Sequence, residues 1–307
     1  MDTLENVIII GSGPSGWAAA VYLSRGLLKP LMFAGEKNGG QLMLTTDVEN
    51  YPGFANGILG PELMAQMRGQ AERFGTVVKD QNVTKVDFSS RPFTVWAGEE
   101  KYQAKAILIA TGAESLMLGI PGEDRLLGRG VSTCAVCDAP FFKDKNTVVI
   151  GGGDSAMEDT LALTKFAASV TVIHRRDSFR ASKIMQDRVL NHPKVKVMWN
   201  AGVLEIKGEQ KVAGVTVQDL KTQQTQELPV EGVFLAIGHR PMTDLFVDQV
   251  KLNEKKYVTT RFALDAGSLA LASAAVKEDL VAHPTMTSIE GVFAAGDVVD
   301  FRYRQAV

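Results

Sequence analysis

Only two cysteines occur in the 307 residues, Cys134 and Cys137, too few for the disulfide framework of a secreted scaffold. Long apolar runs are missing as well. The longest, Gly267 to Val276, is about half of the roughly 20 residues that a membrane-spanning helix needs. A net charge of −2 supplies no long-range attraction toward nucleic acid or an anionic membrane, so neither is expected as a partner. The four histidines, His174, His192, His239 and His283, show no ligand spacing, and one cysteine pair is at most half of a zinc site. The aliphatic stretch Val7–Ile10 follows the N-terminus so closely that no basic n-region or apolar h-region of a signal peptide fits before it. A cytoplasmic location is therefore expected, where a CxxC is either catalytic or a metal half-site. What remains is an ordinary soluble composition, 45% apolar and 22% charged, in a chain long enough for two domains.

The first strong pattern is Gly11-Ser12-Gly13-Pro14-Ser15-Gly16, between the strand Val7–Ile10 and the helical run Trp17 to Leu23. Glycines at this spacing let the backbone turn tightly, approach a pyrophosphate and pack helix on strand. The helix N-terminus then offers N–H groups and positive dipole to the anion. Leu31-Met32-Phe33 reads as the next buried strand, and Glu36 lies where an acidic ribose-binding residue belongs.

A second copy follows the strand Thr147–Ile150 as Gly151-Gly152-Gly153-Asp154-Ser155-Ala156, with a helix to about Phe166 and a strand Val170–Ile173. Here the acid is replaced by His174-Arg175-Arg176, with Arg180 one turn on. Arginines pair with a 2′-phosphate where an acid would accept from a free 2′-hydroxyl, so NADPH is expected over NADH. Three more apolar strands end in glycine: Ala106 to Gly112, Val233 to Gly238, and Gly291 to Gly296 followed by Asp297. Together these predict an α/β protein of two Rossmann-like dinucleotide-binding domains, the second inserted into the first.

Cys134-Ala135-Val136-Cys137-Asp138 precedes the second glycine loop. A lone CxxC between two dinucleotide fingerprints implies that electrons from a bound nucleotide reach a dithiol, which passes them on by thiolate attack. Asp138 fits a proton donor to leaving sulfur if burial raises its pKa. It could also cap the helix expected at Ala139-Pro140, a role compatible with proton transfer.

With these residues in place the chain resembles the low-molecular-weight NADPH-dependent thioredoxin reductases. The likeness runs from Asn6 to about Tyr257 and from Thr285 onward. Its most distinctive stretches are Gly39-Gly40-Gln41-Leu42, Glu49-Asn50-Tyr51-Pro52-Gly53, the CxxC segment, His174 to Arg180, and Tyr303-Arg304-Gln305-Ala306. The resemblance implies FAD held by Gly11, Ser12, Gly13, Pro14, Ser15 and Gly16. Glu36, Gly40, Gln41, Asn50, Thr111, Gly112, Ala113, Gly296, Asp297, Arg304, Gln305 and Ala306 complete that site. It implies NADPH on Gly151, Gly153, Asp154, Ser155, Ala156, His174, Arg175, Arg176 and Arg180. Cys137 is the cysteine expected nearer the flavin, Cys134 the one that attacks thioredoxin or a thioredoxin-like dithiol protein, and Asp138 the acid/base. A homodimer is implied too.

The expected domains are residues 1–113 and 244–307 for FAD and 114–243 for NADPH and the CxxC. Both nicotinamide and disulfide would ride on the inserted domain, so it is expected to rotate on its connections, near Ala113–Leu118 and Gly238–Asp244, to present each in turn. Two departures from the family pattern stand out. An extra amphipathic helix is expected at about 267–283, and the C-terminal helix of relatives has no counterpart after the Arg-Gln-Ala segment, so weaker FAD retention is expected.

Overall fold

A computed structural model describes residues 4–45, 47–261 and 283–306. The helix expected at about 267–283 lies, His283 apart, outside the described residues. The chain divides into two compact units. One contains the N-terminal residues to Asp47, Tyr51–Glu114 and the chain from Arg240 onward; the other contains Val48–Asn50 and Ser115–His239. The connecting segments Ala113–Ser115 and His239–Pro241 pair as a small sheet of their own.

The first unit is built on a seven-stranded mixed sheet. Strands Val77–Lys79, Leu31–Phe33, Leu4–Ile10 and Glu100–Ile109 run parallel in that order, with Ile8 opposite Leu31 and Ile10 opposite Ile109. On its other edge the long strand Glu100–Ile109 serves two partners. Its first half pairs antiparallel with Phe93–Ala97, which continues to Lys85–Asp87, and its last three residues pair parallel with Val292–Ala294. Alternation along the strands fills both faces. Ile8, Ile10, Leu31, Phe33, Ile107 and Ile109 join Phe88, Phe93 and Phe246 in one cluster. The intervening Ile9 and Met32 are equally buried. Helices Pro14–Arg25 and Gly60–Arg73 contribute Trp17, Ala20, Leu63 and Met64 to the interior. Leu63 and Met64 each contribute about 1.5–3 kcal/mol by leaving water.

The second unit repeats the principle with a five-stranded parallel sheet in the order Val131–Ser132, Gly232–Ala236, Asn146–Gly151, Ser169–His174, Val195–Trp199. Odd and even positions again part company. Val149, Val172 and Phe234 pack with Met157, Leu163 and Val189 of helices Asp154–Thr164 and Lys183–Leu190. Val148, Ile150, Ile173 and Leu235 pack with Val203, Ile206, Val215 and Val217 of a three-stranded antiparallel sheet. The helix expected to reach Phe166 ends two residues earlier, at Thr164.

Candidate functional site

In the first unit the carboxyl ends of four strands converge. The Gly11 N–H donates to Phe33 O (2.9 Å), Ala110 N–H to Ile10 O (2.8 Å) and Ala295 N–H to Ile109 O (3.0 Å). Such an edge is where a doubly wound sheet binds its ligand. Gly11 has φ +111°, and a Cβ there would stand 2.3 Å from Ala110 O. A Cβ on Gly16 would stand 2.4 Å from Gly11 O. Gly13, by contrast, has nothing within 4 Å of its would-be Cβ. It is the N-cap of helix Pro14–Arg25, with extended backbone and no side-chain cap. The loop is therefore closed toward the protein and open at the helix N-terminus, where unsatisfied N–H donors suit an anion.

Several residues far apart in sequence meet at this loop. Gly40 lies against Gly13, and a Cβ on Gly296 would stand 2.4 Å from Ser15 Oγ. Thr111 Oγ1 donates to Met242 O at 2.7 Å. Ser12 turns the other way: its buried hydroxyl donates to Ala34 O (2.6 Å) and accepts from Gly39 N–H (3.0 Å). Its side chain thus ties the loop to the Gly39 turn. The Glu36 segment is fixed by residues that the sequence reading missed. Asn82 Oδ1 accepts from Glu36 N–H at 3.1 Å, and Asp80 accepts from Asn38 Nδ2 at 3.3 Å while held bidentately by Arg68. No spacing signal marks a partner more than forty residues away, as Asn82 is from Glu36.

At the chain's far end, Asp297 is mostly buried beside Asp300 and Arg304. Burial first, then the Asp300 charge, push its pKa up to about 6, with Arg304 opposing. The Asp300 carboxylate organises the last described turn, accepting from Arg302 N–H (2.7 Å) and Tyr303 N–H (3.2 Å).

In the second unit, Gly153 is the N-cap of helix Asp154–Thr164, again with extended backbone, no side-chain cap and open space at its would-be Cβ. His174 sits beneath the loop, 5% exposed, close enough that a Cβ on Gly152 would fall 2.2 Å from its ring. Its Nε2 lies 3.1 Å from Ser178 O, and its ring borders Phe179 and Trp199. Burial lowers its pKa, with Arg180 and Arg176 adding to the depression. His174 is thus a neutral, inward-facing support, whereas Arg175, Arg176 and Arg180 are exposed.

Cys134 and Cys137 form a disulfide with Cα atoms 5.3 Å apart. Ser132 Oγ accepts from Cys134 N–H at 3.0 Å, and Cys137 N–H donates to Cys134 Sγ at 3.2 Å. Ser132 is a further residue the sequence reading missed; a hydroxyl two residues before Cys134 was the available signal. Burial raises the Asp138 pKa, with a Ser132 hydrogen bond opposing. Asp138 occupies the N-cap position of the 3-10 turn Ala139–Phe142 but makes no capping bond with its side chain. The capping alternative is therefore corrected: the carboxyl is left near the disulfide segment rather than spent on the turn. Among the described residues, no group of three or more His, Cys, Asp or Glu converges as a metal site.

Residues 5–307 match the family described as pyridine nucleotide-disulphide oxidoreductase. The thioredoxin reductase of Streptomyces clavuligerus is 50% identical, over 100% of this chain and 90% of its own length. That of Mycolicibacterium smegmatis is 49% identical, over 99% of this chain and 92% of its own. The crystal structure of thioredoxin reductase from Streptococcus pyogenes MGAS5005 superposes with a TM-score of 0.88 at 38% identity, over 100% of this chain and 93% of that one. The chain belongs to the thioredoxin reductase family.

Members of this family hold FAD and NADPH, and both glycine loops fit such groups. Each is an uncapped helix N-terminus with an open position at its N-cap glycine. Two glycines of the first loop separate fold from binding by experiment. Gly13→Ala adds a methyl into open space, so the stability of the flavin-free protein is unchanged while FAD affinity drops at least about tenfold. Gly11→Ala forces a clash with backbone and lowers the flavin-free Tm. Equal effects of the two on Tm would contradict this assignment.

Asp297 gives a pH signature in the flavin-free protein. Folded, it keeps its proton to about pH 6; unfolded, it releases it near 3.8. Between these values the native state binds more protons, so this group's contribution to stability falls as pH rises. Asp297→Asn removes that loss. Calorimetry is expected to show the variant gaining more Tm over wild type at pH 7 than at pH 4; an equal difference at both would contradict it.

Proposed function

We propose that the protein is an NADPH-dependent thioredoxin-disulfide reductase, in which electrons pass from NADPH through FAD to the Cys134–Cys137 pair and on to thioredoxin. The observation that carries this reading is the Cys134–Cys137 disulfide with the desolvated Asp138 carboxyl beside it, in a chain with two open glycine cradles. Gly11 to Gly16, Glu36, Gly40, Gln41, Asn50, Thr111 to Ala113, Gly296, Asp297 and Arg304 to Ala306 hold FAD. Gly151, Gly153, Ser155 and Ala156 hold the NADPH pyrophosphate, and Arg175, Arg176 and Arg180 meet its 2′-phosphate, a planar bidentate match that Lys would not give.

FAD, when bound, supplies the two-electron exchange between nicotinamide and disulfide. The remaining chemistry belongs to the chain. In the reduced protein the Cys137 N–H that reaches Cys134 Sγ stabilises a thiolate there. That thiolate attacks one sulfur of the thioredoxin disulfide; the S–S bond breaks, and the leaving sulfur takes the Asp138 proton. Cys137 then gives its proton to the Asp138 carboxylate and attacks Cys134 Sγ of the mixed disulfide, re-forming the disulfide and releasing the second thioredoxin sulfur as a thiolate that takes a proton from solvent. Each cycle oxidises one NADPH and reduces one disulfide. The paired segments Ala113–Ser115 and His239–Pro241 are the pivot on which the Ser115–His239 unit turns between the two half-reactions.

A homodimer in a cytoplasmic, NADPH-rich compartment completes the reading. Tyr22 and Leu27, 76% and 82% exposed near the end of the first helix, offer apolar surface for a subunit contact. The test is steady-state oxidation of NADPH and NADH by the FAD-loaded protein with oxidised thioredoxin. Thioredoxin-dependent turnover with NADPH preferred supports the reading; turnover that ignores thioredoxin overturns it.

A further inference from the structure

Ser182 is the N-cap residue of helix Lys183–Leu190, yet its hydroxyl does not cap that helix. A serine there ordinarily accepts from its own first turn. Instead Ser182 Oγ donates to Asp154 Oδ1 at 2.8 Å, and Ser182 N–H donates to the same oxygen at 2.9 Å. Asp154 is the first residue of the helix that leaves the second glycine loop. Two residues before Ser182, Arg180 N–H donates to Gly152 O at 2.7 Å. The arginine-bearing loop is therefore fastened to the glycine loop at two adjacent points. Its other end has separate anchors, Asn200 N–H to Arg176 O at 3.1 Å and His174 Nε2 at Ser178 O.

We infer that Asp154 and Ser182 form a clasp that positions Arg180 and thereby sets discrimination for the 2′-phosphate. The inference rests on the NADPH reading and gives Asp154 a task other than direct contact with the nucleotide. A carboxylate in the first turn beside a phosphate cradle would repel the ligand; here the Ser182 donors draw its Oδ1 toward the arginine loop. The bonds are charge-assisted, the stronger class, and both converge on one oxygen. Asp154 and Ser182 are positioning residues: the chemistry of recognition lies in the Arg180 guanidinium, and the clasp fixes where its backbone stands.

The test is calorimetric binding of 2′,5′-ADP and 5′-AMP to the FAD-loaded protein, read as the ratio of the two affinities. Wild type is expected to prefer 2′,5′-ADP. Asp154→Ala lowers the ratio about tenfold, and Ser182→Ala, which loses one of the two bonds, lowers it by less. Arg180→Ala lowers it comparably, and adding Asp154→Ala to Arg180→Ala changes it by less than about twofold, because the clasp acts through Arg180. A wild-type ratio in Asp154→Ala overturns the clasp, as does a full tenfold effect in the Arg180→Ala background. Should Asp154→Ala not fold, a wild-type ratio in Ser182→Ala overturns it equally. No preference in the wild type itself overturns the NADPH reading and the clasp with it.

Discussion

Cys134→Ser and Cys137→Ser each lower thioredoxin reduction on the order of 10³-fold or more, while NADPH oxidation by ferricyanide on the same protein stays within about twofold. The two activities separate because they use different parts of the chain. A small one-electron acceptor needs only the nucleotide cradles, whereas a protein disulfide needs a thiolate and a second thiol to resolve the mixed disulfide. The two variants are also distinguishable from each other. With Cys137 replaced, Cys134 can still attack but nothing releases the partner, so a covalent adduct with thioredoxin accumulates and is visible on a non-reducing gel. With Cys134 replaced, no such adduct forms. Adducts from both variants in equal amount would contradict the assignment of Cys134 as the attacking sulfur.

Asp138→Asn is the second large effect, a fall of about 10²- to 10³-fold in kcat/KM for thioredoxin. The carboxyl acts as donor only while protonated, and burial is what keeps the proton on it toward neutral pH. The sign follows directly. In wild type, kcat/KM declines as pH rises through the elevated Asp138 pKa, because the donor form is lost. In Asp138→Asn that decline disappears and the residual rate is flat over the same interval. The Ser132 hydrogen bond pulls the pKa the other way, so Ser132→Ala moves the decline to higher pH. A variant as slow as expected but with an unchanged pH profile would mean that Asp138 matters for structure and not for proton transfer.

Much of this site was legible in the sequence, and the reason is locality. A Gly11 with φ +111° and a backbone carbonyl 2.3 Å from its would-be Cβ is a constraint that only glycine meets, so the site announces itself in six consecutive letters. The Cys134–Cys137 pair does so in four. Strand Leu31–Phe33 was read to the residue because all three side chains are buried between two parallel neighbours. What stayed hidden are contacts between segments remote in sequence. Asn82 on Glu36, Ser182 on Asp154 and Ser12 under the Gly39 turn each join loops through one polar atom, and no periodicity encodes that. His174 is the opposite case. The resemblance puts it at the NADPH site, and strand alternation turns its ring inward beneath the loop, where burial lowers its pKa. For Asp138 the sequence allows both proton transfer and capping, and the turn Ala139–Phe142 carries no cap from its side chain.

The most direct test of the central claim is an anaerobic titration followed at the flavin absorbance. Two equivalents of NADPH, enough for both the disulfide and the flavin, are added to the FAD-loaded protein, then an excess of oxidised thioredoxin. The account predicts bleaching by NADPH, recovery on adding thioredoxin, and no recovery in Cys134→Ser. Recovery that persists in Cys134→Ser, or bleaching that thioredoxin fails to reverse in the wild type, would contradict it.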